Sequence, residues 1–179
     1  MRMRKQSFLV VFILLSSCLA FNSQARAEGV SVGVSVAGGQ QKSQAYDLYA
    51  QYTFSPWYSG DYAELAPFVS GGVSLWDRAD KSIWGGNLNL GLKFSFGNWE
   101  SWRPFLAVSV GGAYLSAHDF GALELGSKGQ FRERGSLGVE FGEVLQHEIM
   151  LDVTHYSNAN LNAENDGYTS FGGSYAYTF

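Results

Sequence analysis

Cysteine, proline, basic residues and long apolar runs are all scarce in this chain of 179 residues. The single cysteine, Cys18, lies near the N-terminus, so the remainder has neither a disulfide framework nor a thiol nucleophile. After the first 27 residues no run of about 18 or more residues is apolar, which excludes a transmembrane helix there. Lys and Arg number 12 against 16 Asp and Glu, and this acidic balance argues against nucleic acid as a partner.

The N-terminal segment has the pattern of a secretory signal. Three basic residues precede the apolar run 8–20, and Ala27 ends a small-x-small cleavage site. We therefore predict a signal peptide at 1–27 and a single mature domain at 28–179. The alternative is a lipoprotein signal with Cys18 as the acylated residue, although a domain that itself spans the membrane would gain little from a lipid anchor.

Apolar side chains alternate with small or polar ones along almost the whole mature chain. A hydrophobic period of two residues indicates β-strands. Eight segments carry it, near 29–37, 46–54, 67–76, 87–96, 103–115, 136–141, 148–154 and 170–179. Eight is an even number, and most segments approach the roughly 9–11 residues that a tilted transmembrane strand needs. The predicted fold is all-β: an eight-stranded antiparallel transmembrane barrel in the outer membrane of a bacterium.

A membrane barrel and a soluble, lipocalin-like barrel differ in whether the apolar face of each strand points outward or inward. In 87–96, leucine and phenylalanine occupy one face, while Asn, Gly, Lys and Ser occupy the other. Small and polar residues inside with large apolar residues outside is the membrane pattern. Phe179 ends the last strand on the outward face, which resembles the terminal aromatic signal of bacterial outer-membrane barrels. Tryptophans near strand ends are expected in the interfacial girdles: Trp57, Trp76, Trp84, Trp99 and Trp102.

Several ionisable residues fall on inward positions of the strands. We expect them to form a salt-bridged interior, since side chains fill an eight-stranded barrel: Lys93, Glu140, Glu148 and Asp152, joined by Arg132 and Arg134. The isolated His118 and His147 fit surface or interfacial positions. No metal-ligand spacing or phosphate-binding glycine loop stands out, so we predict neither a metal nor a cofactor.

The seventh segment carries a polar pair on its outward face. The outward residues of this strand are Ile149, Leu151 and Val153, followed by His155 and Ser157. Polar residues facing hydrocarbon indicate a functional site, although an interfacial position beyond the membrane would also accommodate them. Residues i and i+2 of a strand lie about 6.5–7 Å apart on one face. An imidazole could therefore activate the serine hydroxyl as a nucleophile.

The residues that follow this pair resemble a known family. The run from His155 to Ala159 reads His-Tyr-Ser-Asn-Ala, and Asn165-Asp166-Gly167 follows it. These motifs, together with Arg-Pro-Phe at 103–105 and Phe-Arg-Glu-Arg at 131–134, are similar to PagL-type lipid A 3-O-deacylases. The resemblance covers the C-terminal half well and the N-terminal half only in strand pattern and size. It implies a serine esterase with Ser157 as nucleophile and His155 as base. Apart from the resemblance, the side-chain amides of Asn158 and Asn165 could donate hydrogen bonds to an oxyanion.

One position departs from the family. Two residues after Asn-Asp-Gly the family has a glutamate that orients the histidine, whereas this chain has Thr169. Thr169 could orient His155 through a neutral hydrogen bond. Glu164 or Asp166 could instead reach in from the loop after the seventh strand, or Glu133 on the sixth strand could supply the charge. These alternatives leave a weakened or rewired triad.

The resemblance implies hydrolysis of the acyl ester at position 3 of lipid A in the outer leaflet. Lipid A or lipopolysaccharide would be the substrate, with outer-membrane lipids around the barrel and a homodimer left open. Two other interpretations keep the barrel. It could be a non-catalytic small outer-membrane barrel for adhesion or membrane integrity, or it could be another outer-membrane lipid esterase, such as a phospholipase, with the same nucleophile.

Overall fold

The computed structural model describes residues 28–97 and 101–179. The predicted signal peptide, Cys18 and Trp99 lie outside the described residues. Eight long strands run through the described chain: β1 Gly29–Gly39, β2 Ser43–Thr53, β3 Ala63–Asp77, β4 Ser82–Phe96, β5 Trp102–Leu115, β6 Gly129–Phe141, β7 His147–Ser157 and β8 Tyr168–Thr178. Three two-residue strands lie in two of the connections: Tyr58–Ser59 between β2 and β3, and the pair Asp119–Phe120 and Leu123–Glu124 between β5 and β6.

The eight strands close into a barrel. Each long strand pairs antiparallel with the next one along the chain, and β1 pairs with β8 through contacts such as Val34 opposite Tyr175. Each of the eight long strands is thereby paired on both sides, as a hydrocarbon environment requires. The eight-stranded antiparallel barrel predicted from the sequence is confirmed. We call the end opposite the chain termini the external end.

The apolar side chains point outward, as predicted. Leu88 and Phe171, for example, are 63% and 64% exposed. The other large apolar residues exposed on the strands are mainly Val, Leu and Ile. A lipocalin-like barrel would bury these side chains, so the soluble alternative is excluded. Among the described residues, no helix is long and apolar enough to cross a membrane.

The interior is filled by paired charges. Lys93 lies between Glu140 and Glu148, with 2.7 Å from its Nζ to Glu148 Oε1. Arg103 binds Glu140 at 2.6 Å. A second group joins Arg134 to Asp152 at 2.9 Å. An unpaired buried charge would cost several kcal/mol, and the predicted salt-bridged interior is confirmed, with Arg132 buried there as well.

An aromatic plug closes the barrel interior at the external end. Trp76 stacks on Tyr168 at 3.9 Å between ring centroids and packs edge-on against Tyr156 and Phe120. Its side chain is only 1% exposed. Placing Trp76 in the interfacial girdle was therefore wrong: it follows the outward Leu75 and so points inward. The girdle prediction is confirmed for the exposed Trp57, Trp84 and Trp102.

Candidate active site

His155 and Ser157 lie on the outer wall of the barrel near the external end. Both are half-buried, whereas the intervening Tyr156 is buried in the aromatic plug. Because Tyr156 anchors the strand from inside, its two neighbours on β7 must face outward. The outward parity inferred from the sequence thus continues to the end of β7.

The strands beside β7 determine the neighbours of the pair. Across from His155 lie Thr169 on β8 and Glu133 on β6. Phe131, a half-exposed aromatic residue of β6, lies across from Ser157. Residues directly opposite in an antiparallel pair have Cβ atoms about 4.5–5.5 Å apart. The histidine is therefore flanked by a hydroxyl on one side and a carboxylate on the other.

The histidine ring is held through one nitrogen. His155 Nδ1 and Thr169 Oγ1 are 2.8 Å apart, a hydrogen-bond distance. The opposite edge of the ring approaches Gly167, where an added Cβ would lie 3.0 Å from Cε1 and 3.5 Å from Nε2. Gly167 immediately precedes β8, and Ser157 is the last residue of the antiparallel β7. The Cε1–Nε2 edge of the ring therefore lies toward the end of the hairpin at which Ser157 is found.

Gly167 gives a first testable prediction. Its φ of +66° lies in the left-handed region that favours glycine, and a Cβ there would press on the His155 ring. We expect Gly167→Ala to lower the turnover number about tenfold if His155 is the general base that the sequence predicts, because small displacements of such a ring are costly. The measurement is the steady-state rate at which the purified variant in detergent hydrolyses the acyl ester that the sequence motifs predict as substrate.

The control for Gly167→Ala is Gly129→Ala, since a Cβ at Gly129 meets nothing within 4 Å. Wild-type activity in Gly167→Ala would show that the ring tolerates displacement and that Gly167 does not define its position.

The two candidate oxyanion donors, Asn158 and Asn165, differ in whether their N–H groups are already hydrogen-bonded. Asn158 is 2% exposed, and its Nδ2 already donates to Leu125 O at 2.9 Å and to Glu164 O at 2.6 Å. Its backbone N–H donates to Asn165 Oδ1 at 2.8 Å. Asn165 Nδ2 makes one bond, to Asn160 Oδ1 at 3.0 Å, and an amide nitrogen carries two hydrogens. In this arrangement Asn158 joins the external loops, while Asn165 keeps one N–H to spare.

The three acidic candidates occupy different places. Glu133 is exposed on the outer wall directly across from His155. Asp166 turns away, with its Oδ2 accepting a hydrogen bond from Glu124 N at 2.7 Å. Glu164 lines an open polar depression of about 510 Å³ between the external loops, together with Asn165 and Asp166. Within the described chain, Thr169 is the residue whose side chain contacts the His155 ring by a hydrogen bond.

The connection between β1 and β2 contributes a contact that sequence reasoning missed. Gln40 Oε1 accepts a hydrogen bond from Thr169 N at 3.0 Å, although the two residues are 129 positions apart.

A second contact joins two other external loops. Lys81 hydrogen-bonds Asp119 and thereby lowers the pKa of the Asp119 carboxyl. No local pattern in the sequence signals either contact, because both depend on how the loops meet over the closed barrel.

The apolar outer wall defines a barrel of the outer-membrane type, and its histidine and serine have the composition of an esterase site. The sequence profile of the family described as "PagL: Lipid A 3-O-deacylase (PagL)" matches residues 29–178. The chain belongs to this family. It is therefore an outer-membrane hydrolase that deacylates lipid A.

A curated relative agrees with this assignment, and two solved structures share the fold. Lipid A deacylase PagL of Pseudomonas aeruginosa is 28% identical over 171 residues, covering 94% of this chain and 95% of that protein. The crystal structure of the outer membrane enzyme PagL matches with a TM-score of 0.76 at 24% identity, over 83% of this chain and 99% of the other. Neisserial surface protein A, at 12% identity, matches with a TM-score of 0.52 over 85% and 97% of the two chains. The two structural matches show the barrel fold.

Proposed function

We propose that this lipid A 3-O-deacylase uses Ser157 as its nucleophile and His155 as its general base. The observation that carries the proposal is the orientation of the imidazole. Nδ1 is within hydrogen-bond distance of Thr169 Oγ1, and the Cε1–Nε2 edge lies toward Gly167, which leaves Nε2 available to Ser157 in the proposal. When Nδ1–H donates to Thr169 Oγ1, Nε2 keeps the lone pair that can accept the serine proton.

The first half-reaction transfers the acyl group to the protein. Ser157 Oγ attacks the ester carbonyl carbon while its proton passes to His155 Nε2, forming a tetrahedral intermediate. The intermediate collapses by breaking the bond to the sugar oxygen, and His155 returns the proton to that oxygen. The products are a free hydroxyl at position 3 of the sugar and an acyl ester on Ser157.

The second half-reaction regenerates the serine. A water molecule gives a proton to His155 Nε2 as its oxygen attacks the acyl carbon. Collapse of the second intermediate releases the fatty acid, and the proton returns to Ser157 Oγ. Because the site is at the external end, near the membrane surface, water can reach it from the aqueous side.

The developing oxyanion needs a hydrogen-bond donor, and we assign this role to Asn165. Its second N–H is unused, whereas the side-chain and backbone N–H groups of Asn158 are occupied. Removing one oxyanion donor costs roughly two to three orders of magnitude in other acyl-transfer enzymes. In this scheme Asn158 holds the loop that carries Asn165.

In the proposed site, Thr169 occupies the position at which a complete catalytic triad has an acidic residue. A neutral hydroxyl fixes the tautomer and the orientation of His155 but stabilises the imidazolium less than a carboxylate does. Glu133, across the strand on the other side, supplies a negative charge at longer range. The site is therefore proposed to be active but slower than a Ser-His-Glu arrangement.

The location of the site determines how substrate arrives. The pair lies on the outer wall, so lipid A diffuses laterally from the surrounding outer leaflet and does not enter the filled barrel interior.

His155, Ser157 and Thr169 all come from one chain. The chemistry consequently needs no second copy, and a homodimer would have to serve another purpose. We also propose that residues 1–27 are removed during export.

The proposal is tested by covalent labelling combined with lipid analysis. The purified barrel is treated with a serine-directed fluorophosphonate, and lipid A incubated with untreated protein is analysed by mass spectrometry. We expect loss of one ester-linked acyl chain from lipid A and a probe adduct on the peptide that contains Ser157. The adduct should disappear in His155→Gln.

Three results would contradict the proposal. A wild-type barrel that removes no acyl chain would point to the non-catalytic interpretation. Release of fatty acid from phospholipids but not from lipid A would identify a different lipid esterase. An adduct on another serine, with Ser157 unlabelled, would refute the assignment of the nucleophile while leaving the reaction class intact.

A further inference from the structure

The turn between β1 and β2 lies against the first two residues of β8. Ser43 Oγ hydrogen-bonds the Tyr168 hydroxyl at 2.9 Å in a buried position. Gly39 leaves room for the same hydroxyl, because a Cβ at residue 39 would collide with it. The start of β8 is thereby anchored to the β1–β2 turn on the inner side of the wall.

Gln40 adds a contact at the next residue of β8. The ladder between β1 and β8 ends at Gly39 opposite Ser170, so Thr169 has no partner residue on the β1 side. Gln40 Oε1 accepts the Thr169 N–H at 3.0 Å in place of the missing strand carbonyl. An unpaired N–H near hydrocarbon would be costly, and a side-chain carbonyl removes that cost.

The turn itself is held in an unusual conformation. Gln41 and Lys42 have φ values of 57° and 59°, in the region that favours glycine. Non-glycine residues remain there only where the surroundings over-determine them. Gln41 Oε1 accepts hydrogen bonds from Arg78 Nη1 at 2.6 Å and from Ala122 N at 3.0 Å, which ties the turn to two other external loops. These hydrogen bonds therefore hold in place the turn that carries Gln40.

We propose that Gln40 is a positioning residue that acts on His155 through Thr169. This inference rests on the proposed function, because it assumes that the Thr169–His155 contact serves catalysis. Gln40 fixes the backbone of Thr169, and the Thr169 hydroxyl then fixes the ring. In the described part of the chain, the side-chain hydrogen bond of Gln40 goes to Thr169 and not to His155 or Ser157, so we expect its influence to fall on the rate of reaction and not on substrate binding.

The direct test compares Gln40→Ala with Gln40→Glu. We expect Gln40→Ala to lower kcat about tenfold with KM changed less than about twofold, since a displaced hydroxyl misorients the base. Gln40→Glu should restore kcat to within about twofold of the wild type, because a carboxylate oxygen accepts the same N–H. The matched control is Gln44→Ala, an exposed glutamine of β2 that hydrogen-bonds Tyr46 and should leave kcat unchanged.

A second background separates positioning from general destabilisation. In a Thr169→Val protein the hydroxyl is already lost, so Gln40→Ala should lower kcat by less than about twofold further. A full tenfold loss in that background would overturn the proposal, because Gln40 would then act by another route. An unchanged kcat for Gln40→Ala in the wild-type background would overturn it as well.

A spectroscopic measurement keeps the inference testable if the barrel proves inactive. The ¹⁵N resonance of His155 Nδ1 in detergent-solubilised, folded protein reports its hydrogen bond to Thr169. A shifted resonance in Gln40→Ala, restored in Gln40→Glu, would support positioning even if the proposed function had failed. An unmoved resonance would refute positioning, whatever the activity.

Discussion

Ser157→Ala is expected to reduce lipid A deacylation by about four orders of magnitude or more. Removing the nucleophile of a serine hydrolase leaves only the rate enhancement due to binding and oxyanion stabilisation. Ser157 is the last residue of β7 and is half-buried on the outer wall, outside the packed barrel interior, so the substitution should not disturb folding. The measurement is mass spectrometry of lipid A after timed incubation with equal amounts of folded wild type and variant.

Ser59→Ala is the matched control for this substitution. Ser59 is an exposed serine in the short hairpin at the opposite end of the barrel, and its loss should leave activity unchanged. His155→Gln should match Ser157→Ala, because members of a catalytic unit are strongly non-additive. If folded Ser157→Ala retained more than about a tenth of wild-type activity, the nucleophile would have to be another group.

Thr169→Glu is expected to raise the turnover number by about two orders of magnitude. The residue lies directly across from His155, and its hydroxyl already contacts Nδ1. A carboxylate would keep the hydrogen bond and also stabilise the imidazolium that forms as Ser157 loses its proton. In a serine protease, replacing the orienting acid by an amide lowers kcat about 10⁴-fold, so partial recovery of that factor is reasonable. The measurement is kcat under saturating lipid A.

Thr169→Gln separates the effect of charge from that of shape. Glutamine matches glutamate in size, and it should leave kcat within about tenfold of the threonine enzyme. If the glutamate variant were no faster than the glutamine variant, the site would already have its acid. Glu133 would then be the first candidate, since it lies across from His155 on β6, and Glu133→Gln would have to abolish most of the activity.

Much of the barrel was predictable because a strand in a two-sided environment has a period of two. Each outward residue meets lipid and each inward residue meets the filled interior, so alternation in the sequence reports orientation residue by residue. The same rule correctly placed Lys93 and Arg134 in the interior. It also placed His155, Ser157 and Thr169 on the outer wall. Trp76 also obeys the rule, because its inward position in the alternation agrees with its burial. The prediction that it lies in the interfacial girdle was wrong because it relied on the nearby strand end.

Loop contacts were not predictable in the same way. The roles of Asn158 and Gln40 depend on Leu125 O and Thr169 N, which are 33 and 129 residues away along the chain. Hydrogen bonds between loops follow from where the barrel places the ends of its strands, and no periodic pattern records them. The choice among Thr169, Glu164, Asp166 and Glu133 stayed open in the sequence for that reason.

By itself, the sequence determined the barrel, its inside and outside, and the outward side chains on which the proposed chemistry depends, because strand parity is a local property. The tertiary structure decided which neighbour contacts the histidine, which asparagine keeps a free donor, and which turn supports Thr169. The contact of Gln40 with Thr169 requires strands from both ends of the chain to meet at closure. The other two depend mainly on side-chain distances within the β7–β8 hairpin and its loop, which strand parity does not specify.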